Sequence, residues 1–295
     1  MSGSNKSKQS LILLAFVFPA LLFYAVFMLA PAFGGAWYSF TDWNGLNPAY
    51  HLVGFANYIE ALTDDAFFID SVWFTLKFVV IMVVLQNVLA VLLAVLIESR
   101  RRSKAWFRTI FFMPNMISMI IGGFMWLFIF TKALPYIAEH AGLAFLDQSW
   151  IGDPKYSFLA IVIVSLWGGV GYLMVIYIAA LQGVPDALKE AAAIDGANSW
   201  QTFRSITLPM VYPAVTIGIF VTLNSSFKAF DAVFALTGGG PGRATQVLAL
   251  NIFEEAFKMS GRYGYASAKA MILFLVVLVI TLIQLSIMKR REVEA

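Results

Sequence analysis

The sequence predicts an all-α, polytopic membrane protein with six transmembrane helices, on three observations. Of its 295 residues 60% are hydrophobic and only 13% charged, at a mean hydropathy of +0.80, whereas a soluble domain is about half apolar and a quarter charged. Leu11–Ala32, Val72–Ile97, Ile110–Phe130, Phe158–Leu181, Leu208–Phe230 and Ala270–Met288 each supply the roughly 20 apolar residues that a spanning helix needs. None alternates in the segments of about ten residues typical of a transmembrane barrel, and lipid satisfies no exposed backbone group, so the runs are helices. An ordinary soluble enzyme and a disordered chain are excluded. The absence of cysteine removes disulfides, thiolate zinc sites and thiol nucleophiles, and a net charge of +3 gives no reason to expect nucleic acid.

The first run follows Lys6 and Lys8 and reaches Ala30-Pro31-Ala32. It is longer than a secretory signal core and proline interrupts the small-residue site, so it is expected to stay as a span. Most Lys and Arg fall in the N-terminus, at Arg100, Arg101, Arg102, Lys104 and Arg108, at Lys189 and Arg204, and at Lys289, Arg290 and Arg291. With both termini cytoplasmic these all lie inside, as the positive-inside rule prefers. The chain then divides into a tail over 1–10, a six-helix membrane domain over 11–288 and a tail over 289–295. Turn signals at Trp43-Asn44-Gly45 and Asn47-Pro48 mark one outer loop, and Thr237-Gly238-Gly239-Gly240-Pro241-Gly242 marks another that cannot continue a helix.

The inner connection over 183–207 is longer than a helix hairpin requires. Pro185 and Asp186 suit a helix start, Ala, Leu, Lys and Glu favour its body, and Gly196 suits a left-handed stop. Leu188, Ala191, Ala192 and Asp195 share one face of this short helix, with Ala187 and Ile194 beside it. Asn198 and Gln201 have capping-box spacing for a second helix, which Pro209 should kink at the fifth span. The narrow, Ala-rich face fits a protein groove; contact with lipid is the alternative, although a lipid-lying helix prefers bulky apolar residues and a basic polar face.

At this segment Glu190-Ala191-Ala192, three residues, Gly196, nine residues, Ile206, one residue and Leu208-Pro209 resemble the EAA motif of bacterial ABC-importer permeases at every spacing. The likeness extends over nearly the whole chain, on the side of the maltose-type larger permease subunit of the carbohydrate branch. It is supported by Ser39-Phe40-Thr41-Asp42-Trp43, Gly54-Phe55-Ala56-Asn57-Tyr58, Leu236-Thr237-Gly238-Gly239-Gly240-Pro241-Gly242 and Tyr263-Gly264-Tyr265-Ala266-Ser267-Ala268. The maltose subunit's large outer insertion and two extra N-terminal spans are missing. The resemblance implies a type I ABC importer permease fold in a bacterial inner membrane. It also implies a second permease subunit in a heterodimer, two cytoplasmic ATPase subunits and an extracytoplasmic substrate-binding protein. The substrate would be a carbohydrate and the surroundings membrane lipid, with no nucleic acid. No cofactor is expected on this chain; ATP and magnesium would sit on the ATPase subunits. The ATPase-coupling role falls on Glu190, Ala191, Ala192, Gly196, Leu208 and Pro209.

Polar and small residues within the spans are candidates for the substrate pathway, packing being the other reading. The resemblance puts Asn115, Ser165, Gly168, Gly169, Tyr172, Thr222, Ser225, Ser226 and Ala229 at substrate-contacting places. Trp167 offers a flat face for a sugar. Lys228 and Asp231, three apart, read as a local pair, and Glu254-Glu255 as part of a helix exposed to water or to the binding protein. His51 and His140 read as isolated loop residues, so no catalytic constellation is expected. The chain has no phosphate-binding loop of the Gly-x-x-x-x-Gly-Lys-Ser/Thr type. The rival reading, an ion-coupled secondary transporter, wants mid-span carboxylates and paired broken helices in repeated halves, and the sequence shows neither.

Overall fold

The computed structural model describes residues 3–100, 103–258 and 261–289. The expected charges at Arg101, Arg102, Arg290 and Arg291, the side chains of Lys6, Lys8 and Lys289, and the tail from 290 onward lie outside what is described. Helix α1 (Gly3–Tyr24) continues through a π-helical stretch, Ala25–Leu29, into α2 (Ala30–Tyr38). The expected 1–10 tail is thus helical from Gly3. After α3 (Ala56–Thr63) comes α4 (Ala66–Glu98), which is 33 residues long. Then follow α5 (Lys104–Phe112), a 3-10 turn at Met113–Met116, and α6 (Met119–Phe128), which runs through a π turn into α7 (Leu134–Ala141). Helix α8 (Pro154–Gln182) starts on Asp153, whose carboxylate accepts from the amides of Lys155 at 2.8 Å and Tyr156 at 3.3 Å. Next are α9 (Asp186–Ile194), α10 (Ser199–Thr202), α11 (Leu208–Met210), α12 (Tyr212–Phe227) and α13 (Asp231–Leu236). Helices α14 (Leu248–Phe257) and α15 (Tyr263–Lys289) complete the chain.

Among the described residues five helices are long and apolar enough to cross a membrane: Ala15–Tyr38, Ala66–Glu98, Met119–Ala141, Pro154–Gln182 and Tyr263–Met288. The pair Ser199–Met210 and Tyr212–Phe227, bent by 69°, makes six when counted as one broken span. The spans differ from the expected runs at their ends, the first reaching Tyr38 and the last beginning at Tyr263, and two differ in kind. The third span is not Ile110–Phe130: Pro114 and the 3-10 turn end the helix, Ile117 and Ser118 take extended ψ values of 133° and 131°, and the span begins at Met119. The fifth is not a single helix over Leu208–Phe230, because it bends at Val211, between Pro209 and Pro213, and stops at Phe227.

The chain forms two compact units. The first, Met1–Asp65 with Ile252–Leu273, gathers three of the sequence stretches that are far apart in the chain. The Asn57 amide donates to the carbonyls of Ser39 and Thr41, both at 2.9 Å, and the Ser39 and Tyr58 hydroxyls are 2.6 Å apart. Gly264 donates its amide to Trp43 O at 2.8 Å, and the Thr41 carbonyl occupies the space a Cβ at Gly264 would need. Here Lys269, 1% exposed, lies 2.7 Å from Asp65 and 2.8 Å from Glu255, while the Tyr265 hydroxyl donates to Asp65 at 2.9 Å. Glu255 is therefore buried and paired, not presented to solvent as the sequence suggested. His51 is not isolated either; its amide donates to Asp42 at 2.6 Å.

The second unit, Ala66–Asn251 with Phe274–Ala295, packs α4 along α8, with α12 against α4. Its core joins Ala90, Ala94 and Ile97 to Leu173, Met174, Tyr177 and Ile178, with Ala214 from α12. Alanines on α4 let the helices approach, and the large side chains of α8 fill the seam. Polar side chains inside this seam satisfy one another. Tyr177 donates to Asn87 Oδ1 at 2.5 Å, Asn87 donates to Thr222 at 3.2 Å, and Thr222 donates to Gly218 O at 2.8 Å. Gly218 is required there because a Cβ would collide with the Tyr177 hydroxyl and the Asn87 carbonyl oxygen.

Candidate functional site

The second unit holds a cavity of about 450 Å³, within the range of roughly 300–1,000 Å³ usual for small-ligand sites. Phe78, Met82 and Gln86 reach it from α4 at intervals of four, so they share one helix face. Ser165, Gly168, Gly169 and Tyr172 come from α8, and Val221, Ser225 and Ser226 from α12. The break between α12 and α13 adds Lys228, Ala229 and Phe230, and the start of α13 adds Asp231 and Ala232.

Asn115 and Met119 enter from the interrupted chain before the third span. The interruption brings Asn115 to α8, where its amide donates to Gly168 O at 3.3 Å. Glycines make that approach possible. A Cβ at Gly171 would collide with the Phe111 carbonyl, one at Gly168 with the Met119 side chain, and one at Gly169 with the Gln86 amide.

Eight of the nine residues expected along a substrate pathway thus meet round one cavity: Asn115, Ser165, Gly168, Gly169, Tyr172, Ser225, Ser226 and Ala229. Thr222 does not line it, being fully buried in the hydrogen-bond chain with Asn87. Trp167 also turns away, packing on Trp126 with ring centroids 5.8 Å apart. Lys228 and Asp231 do line the cavity, but they form no ion pair and neither side chain has a hydrogen-bond partner among the described residues. Their spacing of three suggested a shared helix face; instead Lys228 caps the end of α12 and Asp231 opens α13. Gln86 carried a signal that sequence reasoning passed over, since Gln86-Asn87 is an amide pair inside the most apolar run.

The second candidate region is the α9–α11 elbow. Gly196 has φ +78°, the left-handed stop expected after α9, and Asn198 and Gln201 form the expected reciprocal cap at 2.8 and 2.9 Å. Ala192 is buried against the chain's own fold, while Leu188, Ala191 and Asp195, expected on the same face, are exposed. Ile194 at 87% and Trp200 at 67% exposure add apolar surface to the elbow. Glu190 is also exposed, and Lys189 pairs with Asp186 at 2.9 Å. Leu208 and Pro209 are half-buried where the elbow meets the bend. Among the described residues no three His, Asp or Glu side chains converge to hold a metal ion.

Several spans round a cavity of mixed polar and apolar lining, with a short exposed helical elbow between two of them, define a multi-pass membrane permease. Residues 86–293 match the family described as binding-protein-dependent transport system inner membrane component, and the chain belongs to that family. It is 42% identical over 280 residues to a probable starch degradation products transport system permease protein of Thermoanaerobacterium thermosulfurigenes, covering 95% of this chain and 94% of that one. It is 36% identical over 278 residues to a multiple sugar-binding transport system permease protein of Streptococcus mutans, covering 94% and 95%. The fold is similar to that of a bacterial ABC transporter involved in the import of the acidic polysaccharide alginate. There the TM-score is 0.83 at 22% identity, covering 97% of this chain and 98% of that one.

Proposed function

We propose that this chain is one permease subunit of an ATP-driven, binding-protein-dependent carbohydrate importer in a bacterial inner membrane, with both termini cytoplasmic. A second permease completes the pathway, and an extracytoplasmic binding protein delivers the sugar. The chain has no nucleotide site of its own; two cytoplasmic ATPase subunits bind ATP and magnesium. The cavity carries the reading. Its amides, hydroxyls and the 42%-exposed Tyr172 offer hydrogen bonds and an aromatic face, the chemistry that suits a solute with hydroxyls on apolar ring faces. The names of the two sugar-transport relatives support the same substrate class.

The elbow is the coupling element. Its exposed Leu188, Ala191 and Asp195 seat in the ATPase, with Glu190 available to a basic partner group, and the buried Ala192 and the left-handed Gly196 hold the helix in position. ATP binding draws the elbows of the two permeases together and the spans rock, so that the cavity faces alternately outward and inward. The permease contributes differential contacts in two states and no chemistry.

The test is Ala191→Trp in the reconstituted four-subunit complex with its binding protein. Ala191 is exposed, so the added bulk meets the partner and not the chain itself. Sugar uptake is expected to fall more than about tenfold, the cost of overpacking a fitted contact. Wild-type uptake by this variant overturns the coupling role. Solute accumulation by the chain alone, without ATPase subunits, overturns the ATP-driven reading in favour of an ion-coupled carrier.

A further inference from the structure

Among the described residues, Lys228 and Asp231 are the charged residues that line the cavity. The helix break sets them on opposite sides of a short non-helical turn, and neither charge is spent on the other or on another described side chain. Both side chains are exposed, unlike the buried Lys269, which is held between Asp65 and Glu255; this is an open pair. From this geometry we infer that Lys228 and Asp231 are specificity-determining residues that grip the hydroxyls of an uncharged oligosaccharide from two sides and discriminate against acidic sugars.

The inference rests on the carbohydrate reading above and adds to it the charge of the substrate. An ammonium donates to sugar oxygens and a carboxylate accepts from sugar hydroxyls, and charge-assisted bonds of this kind are stronger than neutral ones. A neutral sugar uses both. An anionic sugar gains from Lys228 but is repelled by Asp231, and the lining carries no net charge to offset the loss of its hydration. Removing the carboxylate should therefore admit acids, a gain of function that general damage to the fold does not produce.

The experiment measures equilibrium binding to the complete permease–ATPase complex in nanodiscs, held with a non-hydrolysable ATP analogue. The binding protein is left out so that its own selectivity does not enter. The probes are neutral maltotriose, cellotriose and raffinose, and acidic trigalacturonate. The wild type is expected to bind at least one neutral probe about tenfold or more tightly than trigalacturonate. Asp231→Asn should narrow that ratio by about tenfold, Lys228→Met should weaken neutral binding by a similar factor, and Lys228→Arg should restore it. Unchanged ratios and affinities in both Asp231→Asn and Lys228→Met overturn this inference alone, as does a wild type that prefers trigalacturonate. A wild type that binds no saccharide overturns the carbohydrate reading, and this inference with it.

Discussion

In the unit formed by Met1–Asp65 and Ile252–Leu273, the buried Lys269 ammonium lies between two carboxylates, and Arg262 reaches Glu60 at 2.7 Å. Round the cavity of the other unit, Lys228 and Asp231 stand three residues apart and do not touch. The two regions use the same kinds of side chain for different ends. A charge removed from water must be matched within the protein, and the first region matches its charges with partners from distant parts of the chain, which fixes architecture. The second leaves its charges in an open cavity, where water satisfies them until a ligand does.

The largest effect that would test this contrast is expected at Lys269. Lys269→Met removes the buried ammonium from between the half-buried Asp65 and the buried Glu255, which still has Arg262 at 3.8 Å, a change expected to cost about 3 kcal/mol, the lower end for a broken buried pair. Thermal unfolding in detergent should show a large drop in midpoint, and recovery when Asp65→Asn and Glu255→Gln are added would confirm that the loss is electrostatic. Next comes Gly171→Ala. The neighbour it meets is the Phe111 backbone carbonyl, which cannot rotate away, so about 1–3 kcal/mol is expected, together with loss of sugar uptake as Asn115 is displaced from α8. At Lys228 and Asp231 the contrast predicts near silence in stability. Lys228→Met and Asp231→Asn should each change unfolding by less than about 0.5 kcal/mol, and a larger loss would mean that these charges are architectural after all.

The smallest expected effect is at Asp42, which is exposed. The His51 backbone amide first, and its ring second, hold the Asp42 carboxyl below its ordinary value of 3.8. Its contribution is present above the unfolded value and is lost as pH falls through the lower folded one. Hydrogen exchange at the His51 amide should accelerate only in that acid range and match Asp42→Asn there.

Much of the fold was legible in the sequence because a bilayer imposes a length and a composition on every crossing. All six apolar runs have a helical counterpart, and the α9 elbow was readable from Asp186, Gly196 and the Asn198–Gln201 cap, since these act over a few residues. The breaks were harder. Apolar runs continue across Ile117 and Ser118 although the helix does not, and residues 228–230 carry no proline or glycine to announce that α12 ends. Membership of the cavity was legible for residues such as Gly168 and Gly169 through the family resemblance, since small residues in a span read equally as packing. It was not legible for Thr222, whose partner Asn87 lies 135 residues away, or for Ala192, whose burial depends on which side of α9 faces the rest of the chain.

The 69° bend at Val211 has a consequence for how force travels. A push along the axis of segment 199–210 is delivered to 212–227 mostly crosswise, as a crank turns thrust into swing. Small travel at the elbow therefore becomes tilt of the helix that bears Ser225 and Ser226, and a straightened joint would slide that helix lengthwise and leave its tilt unchanged.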